Sequence, residues 1–427
     1  MALGTVGPDS TQGSARVAQA SNTNYAIPLA LMVTLYFSIG FITALNDILV
    51  PHFKDLFHLT NVAALLVQFC FFGAYFVMSL PSGWIVGRIG YKASIVAALA
   101  TMGLGLLLFL PASVIIFYPL FLFALFVVGS GLALLQVAIN PYVGALGTPE
   151  TASSRLNLAG GFNSIATTIA PKVGAAFIFI AAGATSAQLA RSVRVPYLVL
   201  AVFAFLMAAL TASVHLPDVI EENGERDARG GSAWKFRHLR LGALAIFFYV
   251  GAEVAIGSLL INFLGQPAMG SMTHAAAARY VSLYWGGAMV GRFIGFVALR
   301  KIRAQRALAF VASAALVLVA TAILGHGHAA MAIVACGLFN SVMWPCIFPL
   351  SVDGLGRYTS QGSGILVTMV VGGAVIPEVQ GFLADAFGYQ HSFVIVLLCY
   401  AYLVYFALSG HRNVGATGAL ESPAVTQ

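Results

Sequence analysis

Gly129-Ser-Gly-Leu-Ala-Leu-Leu-Gln136-Val-Ala-Ile-Asn140-Pro141-Tyr142-Val-Gly-Ala-Leu-Gly147 decides how the rest of the chain is read. It is an apolar helix of membrane-spanning character that carries two amides one helical turn apart. Residues four apart stack on a helix, so Gln136 and Asn140 share a face. An amide facing hydrocarbon costs several kcal/mol, so this face must look at protein or at a wet cavity. Pro141 adds a second irregularity, because it frees a backbone carbonyl about one turn earlier. A polar clasp between two helices would account for the amides. A helix lining a substrate pathway accounts for them as well, and the remainder of the chain favours it.

The chain is 60% hydrophobic and 8% charged, with a mean hydropathy of +0.92. Soluble domains carry about 25% charged residues. This is therefore the composition of a polytopic membrane protein. Apolar segments of spanning length fall near 26–52, 61–87, 92–112, 117–145, 156–183, 195–215, 239–265, 276–299, 306–325, 329–352, 361–385 and 390–410. The long polar connection from Leu216 to Arg240 divides them six and six. The expected organisation is a disordered tail over 1–25, an N-terminal six-helix bundle over 26–215, a cytoplasmic linker over 216–238, a C-terminal six-helix bundle over 239–411 and a tail over 412–427. No cleavable signal peptide is visible, since residues Met1 to Asn24 lack an apolar core.

Placing the N-terminus inside gathers Arg88, Lys92, Arg155, the linker bases, Arg300, Lys301, Arg303, Arg306, Arg357 and Arg412 on the cytoplasmic face. Lys54, Arg191, Arg194 and Arg279 remain outside. That asymmetry predicts both termini inside. It also explains the net charge of +7 through anionic headgroups rather than nucleic acid. Cys70, Cys336, Cys346 and Cys399 all sit in apolar segments without metal-type spacing and read as small core residues. No catalytic triad, metal cluster or phosphate-cradling loop appears, so no enzyme and no cofactor is expected. His326 and His328 read as solvated.

The halves repeat one another weakly. Leu35-Tyr-Phe-Ser-Ile-Gly-Phe-Ile lies over Ile246-Phe-Phe-Tyr-Val-Gly-Ala-Glu253, Gly144-Ala-Leu-Gly147 over Asp353-Gly-Leu-Gly356, and Ala170-Pro-Lys172 over Ile376-Pro-Glu378. A transporter built from two related halves would show this pattern.

Several longer motifs then carry a resemblance. They are Asn46-Asp47-Ile-Leu-Val-Pro51-His52, Gln68-Phe-Cys-Phe-Phe-Gly-Ala-Tyr75, Gln136-Val-Ala-Ile-Asn140-Pro-Tyr, Arg155-Leu-Asn157 and Phe162-Asn163-Ser in the first half. In the second half they are Gly251-Ala-Glu253, Gly286-Gly-Ala-Met-Val-Gly-Arg292, Asn340-Ser-Val-Met-Trp344-Pro and Gly372-Gly-Ala-Val-Ile-Pro377. The chain resembles bacterial glucose/galactose transporters in the fucose:proton symporter branch of the major facilitator superfamily, over about residues 26–410. The resemblance implies an all-α fold of twelve transmembrane helices in two six-helix bundles around a sugar cavity. It further implies alternating access in the bacterial inner membrane.

Asp47 is the one carboxylate inside the first span, where it must be protonated, paired or wet. In the resembled symporters the matching aspartate couples transport to the proton; a structural hydrogen bond to a neighbour such as Asn46 is the plainer alternative. Glu253 is a second intramembrane acid and a second cation-coupling candidate. The fucose transporters carry a glutamate where this chain has Gln136, so a two-carboxylate relay is absent, and the coupling ion stays open between proton and sodium. Asn46, Gln68, Tyr75, Gln136, Asn140, Asn163 and Asn340 are candidate hydrogen-bonding groups for sugar hydroxyls, with Trp344 stacking on the ring. Gly160 and Gly161 stand where relatives carry an amide, which implies either a larger substrate such as N-acetylglucosamine or close helix packing. Lys172 and Glu378, at matched positions, read as a gate contact, as a charge for a modified sugar, or as separate charges that snorkel to water. The expected protein is a monomeric importer of a neutral monosaccharide driven by a proton or sodium ion. A non-transporting sugar sensor is the alternative of another class.

Overall fold

The computed structural model describes residues 16–17, 25–178, 185–220, 231–269, 271–325 and 331–412. The expected tails fall almost wholly outside these residues, as do the acidic part of the linker and the pair His326 and His328. Nearly every described residue is helical. The exception to the all-α expectation is a two-residue antiparallel pairing of β1, Arg16–Val17, with β2, Val219–Ile220.

The first helix, α1, spans Ala26–Phe57 and ends at His58 in a left-handed conformation. The run Asn61–Leu107 is continuous by hydrogen bonding but folds at Gly90, whose φ of 78° and ψ of 169° suit a residue without Cβ. It is thus two spans, α2 (61–89) and α3 (91–107), with α3 prolonged by Phe109–Ile115. Thr60 caps α2 by accepting from the Ala63 N–H at 3.3 Å. Next come α4 (Tyr118–Ala145), α5 (Ala152–Ile178), α6 (Arg194–Ser213), α7 (Arg237–Leu264), α8 (His274–Ala298) and α9 (Ala304–Leu324). A proline, Pro119, sits in the first turn of α4, where its missing N–H costs nothing. The tenth span, α10, is broken into Ala332–Asn340 and Met343–Val352 with a 41° bend between them. The eleventh, α11, runs Thr359–Thr368, a tight turn Met369–Val371, and Gly372–Phe387. The last, α12, is Val394–Tyr405 followed by a π-helical turn Phe406–Gly410. Most of these spans are apolar enough to cross a bilayer by themselves. The less apolar α5, which carries Arg155, Asn157, Asn163 and Lys172, completes the twelve.

The glycines of the decisive stretch let α4 nest between its neighbours. A Cβ on Gly129 would meet the Phe71 carbonyl of α2 at 2.6 Å, and one on Gly131 would meet the Met102 amide nitrogen of α3 at 2.7 Å. Backbone touches backbone at both points, which is how small residues bring membrane helices together. Around these contacts α4 is buried along most of its length, Leu132, Ala133, Leu135, Val137 and Ile139 being inaccessible.

The turns α2–α3, α4–α5, α8–α9 and α10–α11 carry Arg88, Lys92, Arg155, Arg300, Lys301, Arg303 and Arg357, and define a basic end of the molecule. The two bundles meet toward this end. Ser154 near the start of α5 donates to the Phe296 carbonyl near the end of α8 at 2.6 Å. Ser363 of α11 donates to the Val137 carbonyl of α4 at 2.7 Å. Small residues let α2 and α11 close up: a Cβ on Gly83 would lie 2.8 Å from the Ser360 carbonyl, and one on Gly364 would lie 2.6 Å from that of Ser79. Among the described residues the hydrogen bonds that join the two bundles all lie in the basic half.

The α3–α4 contact sets a test of the packing. Replacing glycine by alanine inside a helix gains about 1 kcal/mol of propensity. Overpacking at a backbone–backbone contact costs about 1–3 kcal/mol. Gly131→Ala should therefore lower the melting temperature of the detergent-purified protein. Gly286→Ala, where an added Cβ meets nothing within 4 Å, should leave it unchanged or raise it.

Candidate functional site

Polar side chains on α1, α2, α4 and α5 form a ladder through the N-terminal bundle. At the rung farthest from the basic end, Asn46 of α1 donates through Nδ2 to Gln68 Oε1 of α2 at 2.8 Å. In the middle, Gln136 Nε2 of α4 donates to the Tyr75 hydroxyl of α2 at 3.0 Å, and that hydroxyl also interacts with Thr43 of α1. On the rung nearest the basic end the Tyr36 hydroxyl donates to Asn140 Oδ1, and Asn163 Nδ2 of α5 donates to the Tyr36 carbonyl at 2.9 Å. That last bond requires α1 and α5 to lie very close. Gly40 permits it, because a Cβ there would sit 2.4 Å from the Asn163 carbonyl.

Two valences of the ladder remain unmet. Asn46 Oδ1 and Asn140 Nδ2 are buried without a hydrogen-bond partner. Such a group costs about 1–3 kcal/mol relative to a satisfied one, so a polyhydroxyl ligand that reaches either recovers that cost. Asn140 also borders a cleft of about 560 Å³ at the basic end, lined further by Glu150, Arg303, Asp353 and Thr359. The Tyr36–Asn140 rung thus lies beside that cleft.

The C-terminal bundle has its own polar cluster, in which Asn340 is wholly buried. Its Nδ2 donates to the Tyr284 hydroxyl of α8 at 2.8 Å, and its Oδ1 accepts from the Tyr400 hydroxyl of α12 at 2.7 Å. Tyr284 in turn donates to the Glu253 backbone carbonyl of α7 at 3.0 Å. The cluster ties four helices together at the point where α10 bends. Trp344, one turn beyond, is half-buried and stacks on Phe348 at 5.9 Å between centroids with 25° between the ring planes.

The candidates predicted from sequence are therefore distributed over two groups. Asn46, Gln68, Tyr75, Gln136, Asn140 and Asn163 come together, and Asp47 follows Asn46 on the backbone of α1. Asn340 and Glu253 belong to the second cluster, and α7 runs unbroken past Gly251 and Gly257. Asn262 lies away from Glu253 and bonds the Tyr389 hydroxyl at 3.3 Å. Lys172 and Glu378 are both exposed and form no ion pair with each other. The space beside Gly160 and Gly161 is filled from across the bundle interface. A Cβ on Gly161 would lie 2.9 Å from the Phe293 ring, and one on Gly160 would lie 3.4 Å from Arg292 Cδ. The close-packing explanation of the two glycines is the one that this geometry fits.

Sequence reading missed Tyr36, Thr43, Tyr284 and Tyr400. A signal existed: a tyrosine hydroxyl inside an apolar span needs a partner, and Tyr36 and Thr43 share the Gly40 face of α1. Arg292 donates to the Gly160 carbonyl and to Ser164 Oγ on α5.

The description of the Major Facilitator Superfamily matches residues 32–377. The chain belongs to the Major Facilitator Superfamily. It is 50% identical over 397 residues to a glucose/galactose transporter of Brucella abortus, across 92% of this chain and 96% of that one. It is 34% identical over 409 residues to an L-fucose-proton symporter of Escherichia coli, across 90% and 93%. Among solved structures, it superposes on a superfamily transporter, FucP, in the outward conformation with a TM-score of 0.82 at 33% identity, across 90% of this chain and 98% of that one. The chain is accordingly a multi-pass membrane transporter with the two-bundle superfamily fold, and not an enzyme.

Asn340 gives this geometry a direct test. Asn340→Leu strands the buried Tyr400 hydroxyl, at about 1–3 kcal/mol, and takes from the Tyr284 hydroxyl the bond it accepts. It should lower the melting temperature more than Asn163→Leu does, as read by thermal denaturation of the purified protein.

Proposed function

We propose that this transporter imports a neutral hexose, glucose- or galactose-like, by proton symport with alternating access. The observation that carries the reading is the ladder of uncharged amides and hydroxyls on α1, α2, α4 and α5. Its rungs offer donors and acceptors without a fixed charge, which suits sugar hydroxyls better than an anion or a cation. The sugar transporters among the relatives and the fucose-proton symporter support both the substrate class and the coupling ion, with sodium as the lesser alternative. No resident cofactor enters this scheme.

In this reading Asn46 and Gln68 meet the sugar on entry, and Tyr75, Gln136 and Asn163 hold it. Tyr36 and Asn140 form the floor that opens toward the basic cleft. Asp47 in the first bundle and Glu253 in the second are the acids that exchange the coupling proton. Asn340 shapes the second bundle rather than touching sugar, while Trp344 packs at its edge. Lys172 and Glu378 act as separate charges near the interface. The N-acetylglucosamine alternative loses its footing where Phe293 and Arg292 occupy the space beside Gly160 and Gly161. A sensor without transport would leave the paired bundles and that floor unused.

The basic end faces the cytoplasm of the bacterial inner membrane, both termini lie inside, and the chain works as a monomer. The arrangement, joined at the basic end, then corresponds to the outward-facing state. The likeness to FucP in its outward conformation supports this.

Two outcomes are expected from de-energised cells in weak buffer. Adding glucose or galactose should make the medium more alkaline, and Asp47→Asn should abolish that change while leaving sugar counterflow intact. A silent pH electrode with both sugars, in cells that do accumulate them, would sink proton coupling. Removing the Gln136 rung as Gln136→Leu should raise the half-saturating sugar concentration about ten-fold, corresponding to one lost hydrogen bond of about 1.4 kcal/mol. An unchanged value would remove Gln136 from the sugar site.

A further inference from the structure

Arg292 lies inside α8 and directs donors both to the opposite bundle and to Tyr249 of its own. Its Nη1 donates to the Gly160 carbonyl at 2.9 Å and to Ser164 Oγ at 2.5 Å, both on α5. On its other side stands α7, where the Tyr249 hydroxyl interacts with both Arg292 and the Glu253 carboxyl. Arg292 and Glu253 feel each other's charge but do not pair, and Glu253 Oε1 is buried without a hydrogen-bond partner. The other titratable groups around Glu253 are tyrosines: Tyr284 from α8 and Tyr400 from α12. The adjoining face of α11 presents neutral residues, Ile376 packing on Gly251, with buried Gln380 a turn beyond. Arg292 is thus the fixed cation within reach of Glu253, and it is committed elsewhere. An ionised carboxylate with an unpartnered oxygen in this setting is costly, so the neutral acid is the form this arrangement accommodates.

Two of the acceptors that hold Arg292 belong to the opposite bundle, and the third, the Tyr249 hydroxyl, stands between it and Glu253. When the basic end opens, α5 parts from α8 and takes the Gly160 carbonyl and Ser164 away. A guanidinium left in the membrane interior must find another acceptor, and Glu253 is placed to be it.

We propose that Arg292 exchanges partners during transport, bound to α5 while the basic end is closed and to the Glu253 carboxylate when it is open. The proposal rests on the proton-symport reading above and makes Arg292 a positioning residue for the coupling step. As the basic end opens, the Glu253 carboxyl gives its proton to water on that side, and Arg292 takes the proton's place by donating to the carboxylate. Closing returns Arg292 to α5 and leaves the carboxylate to accept a proton from the other side. No covalent bond forms. The carrier is thereby discouraged from opening at the basic end with the proton retained, because Arg292 would then lack an anionic partner.

Ser154, sealed between α5 and α8, reports on opening. The full-length protein carrying Ser154→Cys would be reconstituted in vesicles and labelled with a membrane-impermeant maleimide at the basic side. The chain without that change gives the background from its native cysteines. Labelling, divided at each pH by the rate for the same cysteine in the denatured protein to remove the rise in thiolate, should rise with pH, because the open form holds Glu253 ionised. In Glu253→Gln labelling should be flat with pH and about five-fold lower than the parent's alkaline plateau. In Arg292→Gln the pH dependence should also vanish. Should that variant fail to fold, Arg292→Lys serves, and its labelling midpoint should move to higher pH because the point charge grips the carboxylate less well. Persistence of the parent's pH profile in Glu253→Gln or in Arg292→Gln, or an unshifted midpoint in Arg292→Lys, would overturn the exchange. A parent that alkalinises the medium with sugar but labels independently of pH would overturn it while leaving symport standing. A parent that labels with the expected pH profile but moves no protons with sugar would remove the symport reading and, with it, the coupling role of the exchange.

Discussion

A polar group inside a membrane protein has no water to fall back on, and that single constraint organises this transporter. Each amide, hydroxyl or guanidinium that the helices carry inward has to find a partner on another helix, a wet cavity or a ligand. Tyr36 finds Asn140, Gln136 finds Tyr75, Asn340 finds two tyrosines, and Arg292 finds α5. Helix packing and helix chemistry are therefore one problem here. The glycines that bring backbones into contact, Gly40 and Gly131 among them, also set the distances at which these pairs can form.

The two bundles use the constraint differently. The first arranges its polar groups as a ladder with unmet valences at Asn46 and Asn140, the pattern of a surface that waits for hydroxyls. The second closes the amide of Asn340 on the Tyr284 and Tyr400 hydroxyls, and leaves Glu253 Oε1 and the Gln380 amide unmet. One half is thereby suited to recognition and the other to carrying mechanical change through a bent α10. The serines and Arg292 that join them near the basic end are few, and each bonds a backbone carbonyl or a single hydroxyl. An interface held by such contacts can be exchanged at modest cost, which an alternating-access carrier needs.

The break in each half also has a local cause. Gly90 turns α2 into α3 because its positive φ is open to glycine and strained for other residues. The bend in α10 falls at Ser341 and Val342, about one turn before Pro345, whose ring and missing N–H disrupt the helix there.

Sequence alone determined the membrane class, the twelve spans and their division into two related halves, because hydrophobic length and repeated motifs are local properties of the chain. It also singled out Asn46, Gln68, Gln136, Asn140 and Asn163 as polar residues that apolar helices must have a reason to carry. Which of them meet was beyond it. Helical spacing tells which residues share a face, but not which neighbouring helix that face meets. Thus Asn340 read as a sugar-binding candidate alongside Trp344 until the fold turned it toward two tyrosines, and Gly160 and Gly161 admitted either a larger substrate or close packing until Arg292 and Phe293 came across from α8 to fill the space. Partner identity is set by contacts between different helices, from 22 to 132 positions apart in the chain, and only the tertiary structure decides those.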